Sequence, residues 1–283
     1  MSKKRANLTD LLNNLTYRVL YDKFRLVSMN AFEWGNLGDD LESRHVETIL
    51  FEKGCAGYFR AADMDYMCLP VMPSGKVNVN GDPTGYIAYG NGFRQYVPAE
   101  DIVIIENNLL RLATHDFVMF YVNKLAEIER TMDVNIKACK TPIVFACDDK
   151  DLLTFKSIFN KVDGNVPAIF ADRNLNIDSI QVFDTKAKFM GIELRDLAHA
   201  IEGDLLTFLG QNNVSVEKKE RLITDEANAN NQLIDSFFNL QLEARERACE
   251  QIKTKFGVDV TVKPRKSVDK AVETVNKSEG GET

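Results

Sequence analysis

The chain has 283 residues, of which 45% are hydrophobic and 27% are charged, and its formal net charge at pH 7 is −7. This composition is typical of a globular protein with one or two domains, and the negative charge excludes a protein that coats nucleic acid with its whole surface. No run of about 18 apolar residues occurs, so the sequence predicts no membrane span.

The first half of the chain changes from helix to strand patterning. Helices are predicted over Thr9–Phe32 and over Leu41–Lys53, the second ending at Gly54, with Trp34 between them as a core anchor. From Cys55 to Glu106 short apolar runs alternate with Gly, Pro and Asn turns, which predicts a β-rich subdomain. Its GNG and SGK triplets lack the context of a phosphate-binding loop.

Three longer helices are predicted in the second half. Leu112–Cys139 would extend about 42 Å, with apolar residues at three- and four-residue steps: Phe117, Tyr121, Leu125, Ile128, Met132 and Ile136. Lys188–Leu209 has a similar stripe that includes Leu197 and Ile201, and it ends at Gly210. The last helix is Ala227–Phe256, ending at Gly257. Between the first two lies a βαββ insert, and the polar segment from Ser267 to Thr283 is predicted to be disordered.

Candidate chemical sites are few. The acids Asp148, Asp149 and Asp151 follow the strand IVFA, which is compatible with a metal-dependent nuclease or with a simple helix N-cap. The three histidines have no metal spacing, so we expect no metal and no cofactor. The five cysteines are scattered, and no apolar segment follows the basic start as in a signal peptide, so we expect free thiols in a reducing compartment.

Two basic segments are candidates for contact with nucleic acid. Lys3, Lys4 and Arg5 form a frayed terminus or an arm that touches phosphates. The loop after Gly210 carries three further cations: Lys218, Lys219 and Arg221. The helix before that loop is acidic, with four acids against Arg195 alone: Glu193, Asp196, Glu202 and Asp204. If several copies lined a bore, its wall would be acidic and the loops would place lysines at one level.

Several segments resemble the portal proteins (upper collar, or head–tail connector) of small short-tailed bacteriophages with protein-primed linear DNA. The resemblance is carried by AFEWGNL at 31–37, KTPIVFA at 140–146, GNVPAIFADRNLNIDSIQVFDT at 164–185, TFLG at 207–210, EKKERLITDE at 217–226 and EARERACEQIKTKFGVDVTVK at 243–263. It implies an α+β fold with long stem helices, an α/β clip insert and a β-rich wing.

The resemblance also implies a division of the chain. Residues 1–111 would form the N-terminal arm, helices and wing, and residues 112–139 and 188–210 the two stem helices. Residues 140–187 would form the clip, 211–226 the channel loop, 227–263 a crown-side helix and strand, and 264–283 the tail. Lys218 and Lys219 would stand at the family's channel-lysine positions, with Arg221 beside them.

The implied protein is not an enzyme. It would be a DNA-binding dodecameric ring at the capsid portal vertex of the virion, assembled in the host cytoplasm, through which double-stranded viral DNA passes. Its partners would be the major capsid protein and scaffold, a packaging ATPase and a lower collar or tail protein, with no membrane. The family's basic arm is associated with a packaging RNA, which the short arm here leaves open. The alternatives are the nuclease above and a collar or capsid protein that makes no DNA contact.

Overall fold

A computed structural model describes residues 8–61, 65–140, 143–146, 181–184, 188–212 and 224–265. The helices are α1 (Leu8–Met29), α2 (Ser43–Lys53), α3 (Thr114–Lys140), α4 (Gly191–Phe208) and α5 (Thr224–Phe256), with a 3₁₀ turn at Ala99–Asp101. The strands are β1 (Phe32–Gly35), β2 (Cys55–Arg60), β3 (Tyr66–Val77), β4 (Pro83–Gly90), β5 (Phe93–Pro98), β6 (Ile102–Glu106), β7 (Ile143–Ala146), β8 (Gln181–Asp184) and β9 (Thr261–Pro264).

The β-rich region is one antiparallel sheet of five strands in the order β5-β4-β3-β2-β6. Alternate side chains of its strands point to opposite faces, and both faces are covered with apolar residues. On one face Tyr58 and Val103 are buried in a cluster with Ala248 and Ile252 of α5, and on the other Phe59 and Tyr86 belong to a second cluster. The predicted mixed helix-and-sheet fold with a β-rich part is therefore confirmed.

The segment around Trp34 departs from expectation. Trp34 is buried, as predicted for a core anchor, but the segment that carries it is the strand β1, which the sequence analysis did not predict. β1 pairs antiparallel with β9, so that Trp34 stands opposite Val262. The reason is that the partner strand lies at the far end of the chain, where a local sequence pattern cannot indicate it.

A buried ion pair joins α5 to the rest of this core. The Arg245 guanidinium donates to both carboxylate oxygens of Glu47 on α2, at 2.9 Å each, and the two side chains are 2% and 4% exposed. It also donates to the backbone and side-chain oxygens of Asn107 and to Gln241 O, and its Cζ atom lies 4.3 Å from the Phe32 ring centre. Glu47 in turn accepts from the Trp34 indole N–H at 2.7 Å. The buried charges are thus fully hydrogen-bonded.

The chain divides into two compact units, Met1–Leu125 with Ala200–Thr283 and Ala126–His199. The first contains the five-stranded sheet, α1, α2, α5 and the β1–β9 pair. The second contains the antiparallel β7–β8 pair, and the unit boundaries fall within α3 and α4. The predicted helix at Asp151–Phe159 and the strand VPAIFA lie outside the described residues.

Within the ranges that the structure describes, none of the helices combines the length and hydropathy that a bilayer crossing requires.

Arg245→Met tests the buried ion pair. The substitution leaves the Glu47 carboxylate buried without its cation, so the free energy of unfolding should fall by about 3–5 kcal/mol. The matched control is Arg44→Met, because Arg44 is 84% exposed and lies 3.9 Å from Glu42, and its loss should cost about 0–1 kcal/mol. Urea denaturation measures both values. Equal losses for the two variants would contradict the role given to Arg245.

Candidate inter-subunit and channel surfaces

An aromatic stack holds the end of α4 in the first unit. The Phe208 ring of α4 stacks on Phe117 of α3 with centroids 4.2 Å apart, and it lies 5.7 Å from Phe237 of α5. Leu205, one turn earlier in α4, is completely buried. Three helices therefore meet at the point where α4 ends, and its last turn has a fixed position.

The chain leaves α4 through a tight turn. Gly210 N donates to Thr207 O at 3.0 Å and Gln211 N to Leu206 O at 2.8 Å, a pattern that satisfies the last helical carbonyls. Gly210 has a left-handed φ of 68°, and a Cβ there would lie 2.8 Å from Phe238 Cα. The predicted channel loop, residues 211–226, begins directly after Gly210, so the residue that precedes it is held against the backbone of α5.

The candidate cations themselves fall beyond the described residues. Lys218, Lys219 and Arg221 lie within residues 213–223, and Lys3, Lys4 and Arg5 lie within residues 1–7. Their assignment to a DNA channel and to a nucleic-acid-binding arm stays a prediction. The acids Asp148, Asp149 and Asp151 of the nuclease alternative also lie outside the described residues. Among the residues that are described, no group of three or more His, Cys, Asp or Glu could hold a metal ion.

The first half of α3 exposes apolar side chains that the sequence pattern did not single out. Its buried line is Val118, Val122 and Leu125, whereas Met119 is 39% and Phe120 54% exposed. Of the predicted stripe, Leu125 and Ile128 are buried, whereas Phe117 and Tyr121 are only half-buried. Because α3 carries apolar residues on more than one face, the spacing alone could not show which face packs internally. The Lys124 ammonium lies 4.1 Å from the Phe120 ring centre and partly shields it.

The second unit also leaves aliphatic side chains in solvent. Asn135 of α3 donates to Lys188 O at 2.8 Å and accepts from Met190 N at 2.9 Å, which fixes the chain just before α4. In this part of α3 and α4, four large aliphatic residues are between 49% and 67% exposed: Val134, Ile136, Ile192 and Leu197. Exposed apolar groups that recur along the same elements indicate a surface that another protein chain covers.

The acidic character predicted for α4 is reduced by a neighbouring helix. Glu202 forms an ion pair with Lys23 of α1, and Glu193 lies 3.7 Å from Lys188. Asp196 and Asp204 are exposed, as is Arg195. Two of the four acids thus have a lysine partner, so the negative charge of α4 rests mainly on Asp196 and Asp204.

The cysteines in the described ranges form no disulfide. Burial, assisted by the charge of Glu47, raises the pKa of the Cys68 thiol to about 12. Burial, assisted by Glu246, raises the pKa of Cys249 to about 12 as well. Both thiols are therefore protonated at neutral pH, which suits a packing role and not a nucleophilic one.

Comparisons with known proteins agree with this architecture. The model of the family described as Phage Connector (GP10) matches residues 3–269. A chain in the structure of the portal and tail of native bacteriophage P68 is 14% identical, with a TM-score of 0.50 over 97% of this chain and 96% of that one. The likeness to the bacteriophage P68 chain shows that the two chains share a fold.

Two further structures are similar at 10% identity. A chain in the virion of a native gene transfer agent particle has a TM-score of 0.46 over 95% of this chain and 86% of that one. An HK97 family phage portal protein from Corynebacterium diphtheriae has a TM-score of 0.46, covering 94% and 96% of the two chains.

Two glycine substitutions test the anchored turn. Gly210→Ala and Gly257→Ala both place a Cβ on a left-handed residue, with φ of 68° and 71°, which costs about 1–2 kcal/mol. Only at Gly210 does the Cβ also meet backbone, 2.8 Å from Phe238 Cα, whereas nothing lies within 4 Å of it at Gly257. The first variant should lose a further 1–3 kcal/mol or so of unfolding free energy, measured by urea denaturation. If Gly257→Ala were as destabilising as Gly210→Ala, the packing of the turn on α5 would be wrong.

Proposed function

The chain belongs to the phage connector family, and we propose that it forms a closed ring, dodecameric as in the portal proteins it resembles, through whose bore double-stranded viral DNA is packaged and ejected. It is a bacteriophage portal (connector) protein, and its place is the portal vertex of the virion. The single observation that carries the proposal is the family match, which runs from residue 3 to residue 269 and so includes both basic segments and both stem helices.

The exposed faces of α3 and α4 support the ring. A ring of identical subunits is built from a heterologous interface, in which two different surfaces of one chain meet on neighbours. The described part of a single chain leaves Met119, Phe120, Ile136 and Leu197 between 39% and 54% exposed, and all four lie on the two stem helices. Fully burying a side chain of this kind contributes about 1.5–3 kcal/mol, so a repeated contact of several such residues would hold the ring together.

The charge distribution supports passage of DNA rather than tight binding. A protein that neutralises many phosphates releases many counterions and holds the duplex firmly. A bore lined by acids such as Asp196 and Asp204 would repel the phosphates along its length, while Lys218 and Lys219 would attract them at one level. We infer that the loop lysines act on DNA locally, to retain it or to guide it, while the wall allows it to move.

Docking of other proteins follows from the position at one vertex. The portal of bacteriophage P68, whose fold this chain shares, is seen together with a tail. We propose that this ring contacts the major capsid protein and scaffold during assembly, a packaging ATPase during filling and a lower collar or tail protein afterwards. The family's role is structural, and we propose that the chain is not an enzyme, so that the work of packaging comes from the ATPase. An RNA-binding assay on the full-length chain decides whether the basic arm binds a packaging RNA.

Leu197→Asp tests the stem contact. Leu197 is 49% exposed in the single chain, so the aspartate should not disturb folding, but it would place an unpaired charge in a subunit interface. Since such a burial costs several kcal/mol and each 1.4 kcal/mol is tenfold, the assembled fraction should fall tenfold or more, by rough estimate.

The matched control is His199→Asp. It also introduces an aspartate at an exposed position of α4. This position is two residues after Leu197 and about 200° round the helix from it. Analytical ultracentrifugation of both variants measures the assembled fraction. Normal ring formation by Leu197→Asp would show that this side chain is not in the interface.

The double variant Lys218→Ala with Lys219→Ala tests the channel loop. Rings should form normally, but filled particles should lose DNA several-fold more readily. The reason is that each lost phosphate contact weakens DNA binding and reduces the slope of log affinity against log salt concentration by about one. A control of equal charge change is Lys53→Ala with Lys76→Ala, both exposed on the first unit. Genome content of purified particles, measured against salt concentration, separates the two. Equal retention by both double variants would remove the assigned role of the loop lysines.

A further inference from the structure

The sequence contains two Asn-Gly pairs, and both lie in exposed turns of the five-stranded sheet. Asn80 and Gly81 lie between β3 and β4, and Asn91 and Gly92 lie between β4 and β5. An asparagine followed by glycine can cyclise, because no Cβ hinders the approach of the asparagine side chain to the next backbone nitrogen. Gly81 and Gly92 are alike in this respect: their φ angles are 84° and 78°, and a Cβ on either would meet nothing within 4 Å.

The first turn is tied together by hydrogen bonds to Asn78. Gly81 N donates to Asn78 O at 3.0 Å, and Asn78 Oδ1 accepts from Asn80 N at 2.9 Å and from Asp82 N at 2.8 Å. Asn78 N also donates to Asp82 O at 2.8 Å, which closes the base of the turn. Cyclisation at Asn80 requires the Gly81 nitrogen to lose its proton and to swing toward the side chain. These hydrogen bonds must therefore break before the reaction can occur.

The second turn has no such ties. It is a two-residue loop, with Gly90 of β4 opposite Phe93 of β5. Within the described residues, neither the Gly92 N–H nor the Asn91 side-chain amide takes part in a hydrogen bond. Phe93 itself is held, because it packs on the second core cluster with its ring centre 6.4 Å from that of Phe59. The turn is thus anchored where β5 begins, while both reacting groups are free.

We propose that Asn91 is a site of spontaneous deamidation in the folded protein and that Asn80 is protected from it. The Gly92 nitrogen loses its proton to solvent base and attacks Cγ of Asn91. A carbon–nitrogen bond forms, and the side-chain amide leaves as ammonia. Water then opens the cyclic imide at either of its two carbonyl carbons. One opening gives aspartate in a normal backbone, and the other gives isoaspartate, whose main chain runs through the side-chain methylene.

Isoaspartate at this position would alter one edge of the sheet. β5 is an edge strand, paired with β4 alone among the described strands, and the register of a hairpin is fixed by its turn type and loop length. An additional methylene in a two-residue loop does not fit the pairing of Gly90 with Phe93. The pairing of β5 with β4 should therefore loosen from this end. The reaction requires only the folded chain, so it is independent of the proposed ring.

Peptide mapping of the folded full-length protein, stored in mildly alkaline buffer, tests the assignment. Chymotryptic cleavage after Tyr86 and Tyr89 separates Asn80 from Asn91, and each conversion raises the peptide mass by about one dalton. An isoaspartyl methyltransferase with a labelled methyl donor measures the isoaspartate. Asn91 should convert at least about tenfold faster than Asn80, because several hydrogen bonds oppose the reaction only at Asn80.

The same protein in strong urea is the control for the two local sequences. Unfolding removes both turns, so Asn80 and Asn91 should then convert at similar rates. If Asn91 stays intact in the folded chain, or if folded Asn80 reacts as fast as Asn91, the proposal is overturned.

Asn78→Ala is the reciprocal variant. It removes the side-chain oxygen that accepts from Asn80 N and Asp82 N, and because Asn78 is exposed the fold should be retained. Conversion of Asn80 should rise several-fold, whereas conversion of Asn91 should not change. An unchanged rate at Asn80 would show that these hydrogen bonds do not protect it.

Hydrogen exchange measures the effect on the sheet. The amides of β5 should exchange several-fold faster in stored protein that is rich in isoaspartate than in fresh protein. The matched control is Asn91→Asp, which has the charge of the deamidated turn but an unaltered main chain, and its β5 amides should exchange as in fresh protein. Equal exchange in the stored protein and in Asn91→Asp would contradict the loosening of the hairpin.

Discussion

The buried ion pair between Arg245 and Glu47 holds together parts of the chain that are far apart in sequence. Through its five hydrogen bonds the guanidinium contacts α2, α5 itself and the segment between β6 and α3, and it stacks on Phe32 of β1. A buried guanidinium is stabilised only when each of its N–H groups donates to a hydrogen-bond acceptor. The position of α5 against the sheet, and the position at which α3 begins, depend on this arrangement.

This internal order contrasts with the outer faces of the long helices. Among the described residues, no buried side-chain nitrogen or oxygen lacks a hydrogen-bond partner, yet large apolar side chains of α3 and α4 remain in solvent. A chain that satisfies its core while exposing aliphatic faces is suited to assembly with copies of itself. The portal ring is the assembly that the family match supports, and the acidic groups of α4 are then compatible with a wall along which DNA moves.

Much of this architecture could be predicted from the sequence, and the exceptions have identifiable causes. The helix ends at Gly210 and Gly257 and the β-rich region follow from local rules of backbone conformation and periodicity. The β1–β9 pair and the Glu47–Arg245 contact join residues about 200 or more positions apart, which no local pattern reveals. On α3 the apolar residues occupy more than one face, so that the buried line through Val118 and Val122 could not be chosen from spacing.

The candidate site is a different case. Lys218 and Lys219 are ordinary residues of a charged loop, and their role is implied only by the resemblance to portal proteins. The surfaces that single-chain geometry reveals, at Phe120 and Leu197, depend on exposure, which a linear pattern does not contain.

The measurement that tests the central claim most directly is electron microscopy of the purified full-length protein. The account predicts closed rings with a central hole wide enough for duplex DNA. Folded protein that remained monomeric or dimeric, in the presence as well as the absence of the scaffold, would contradict it.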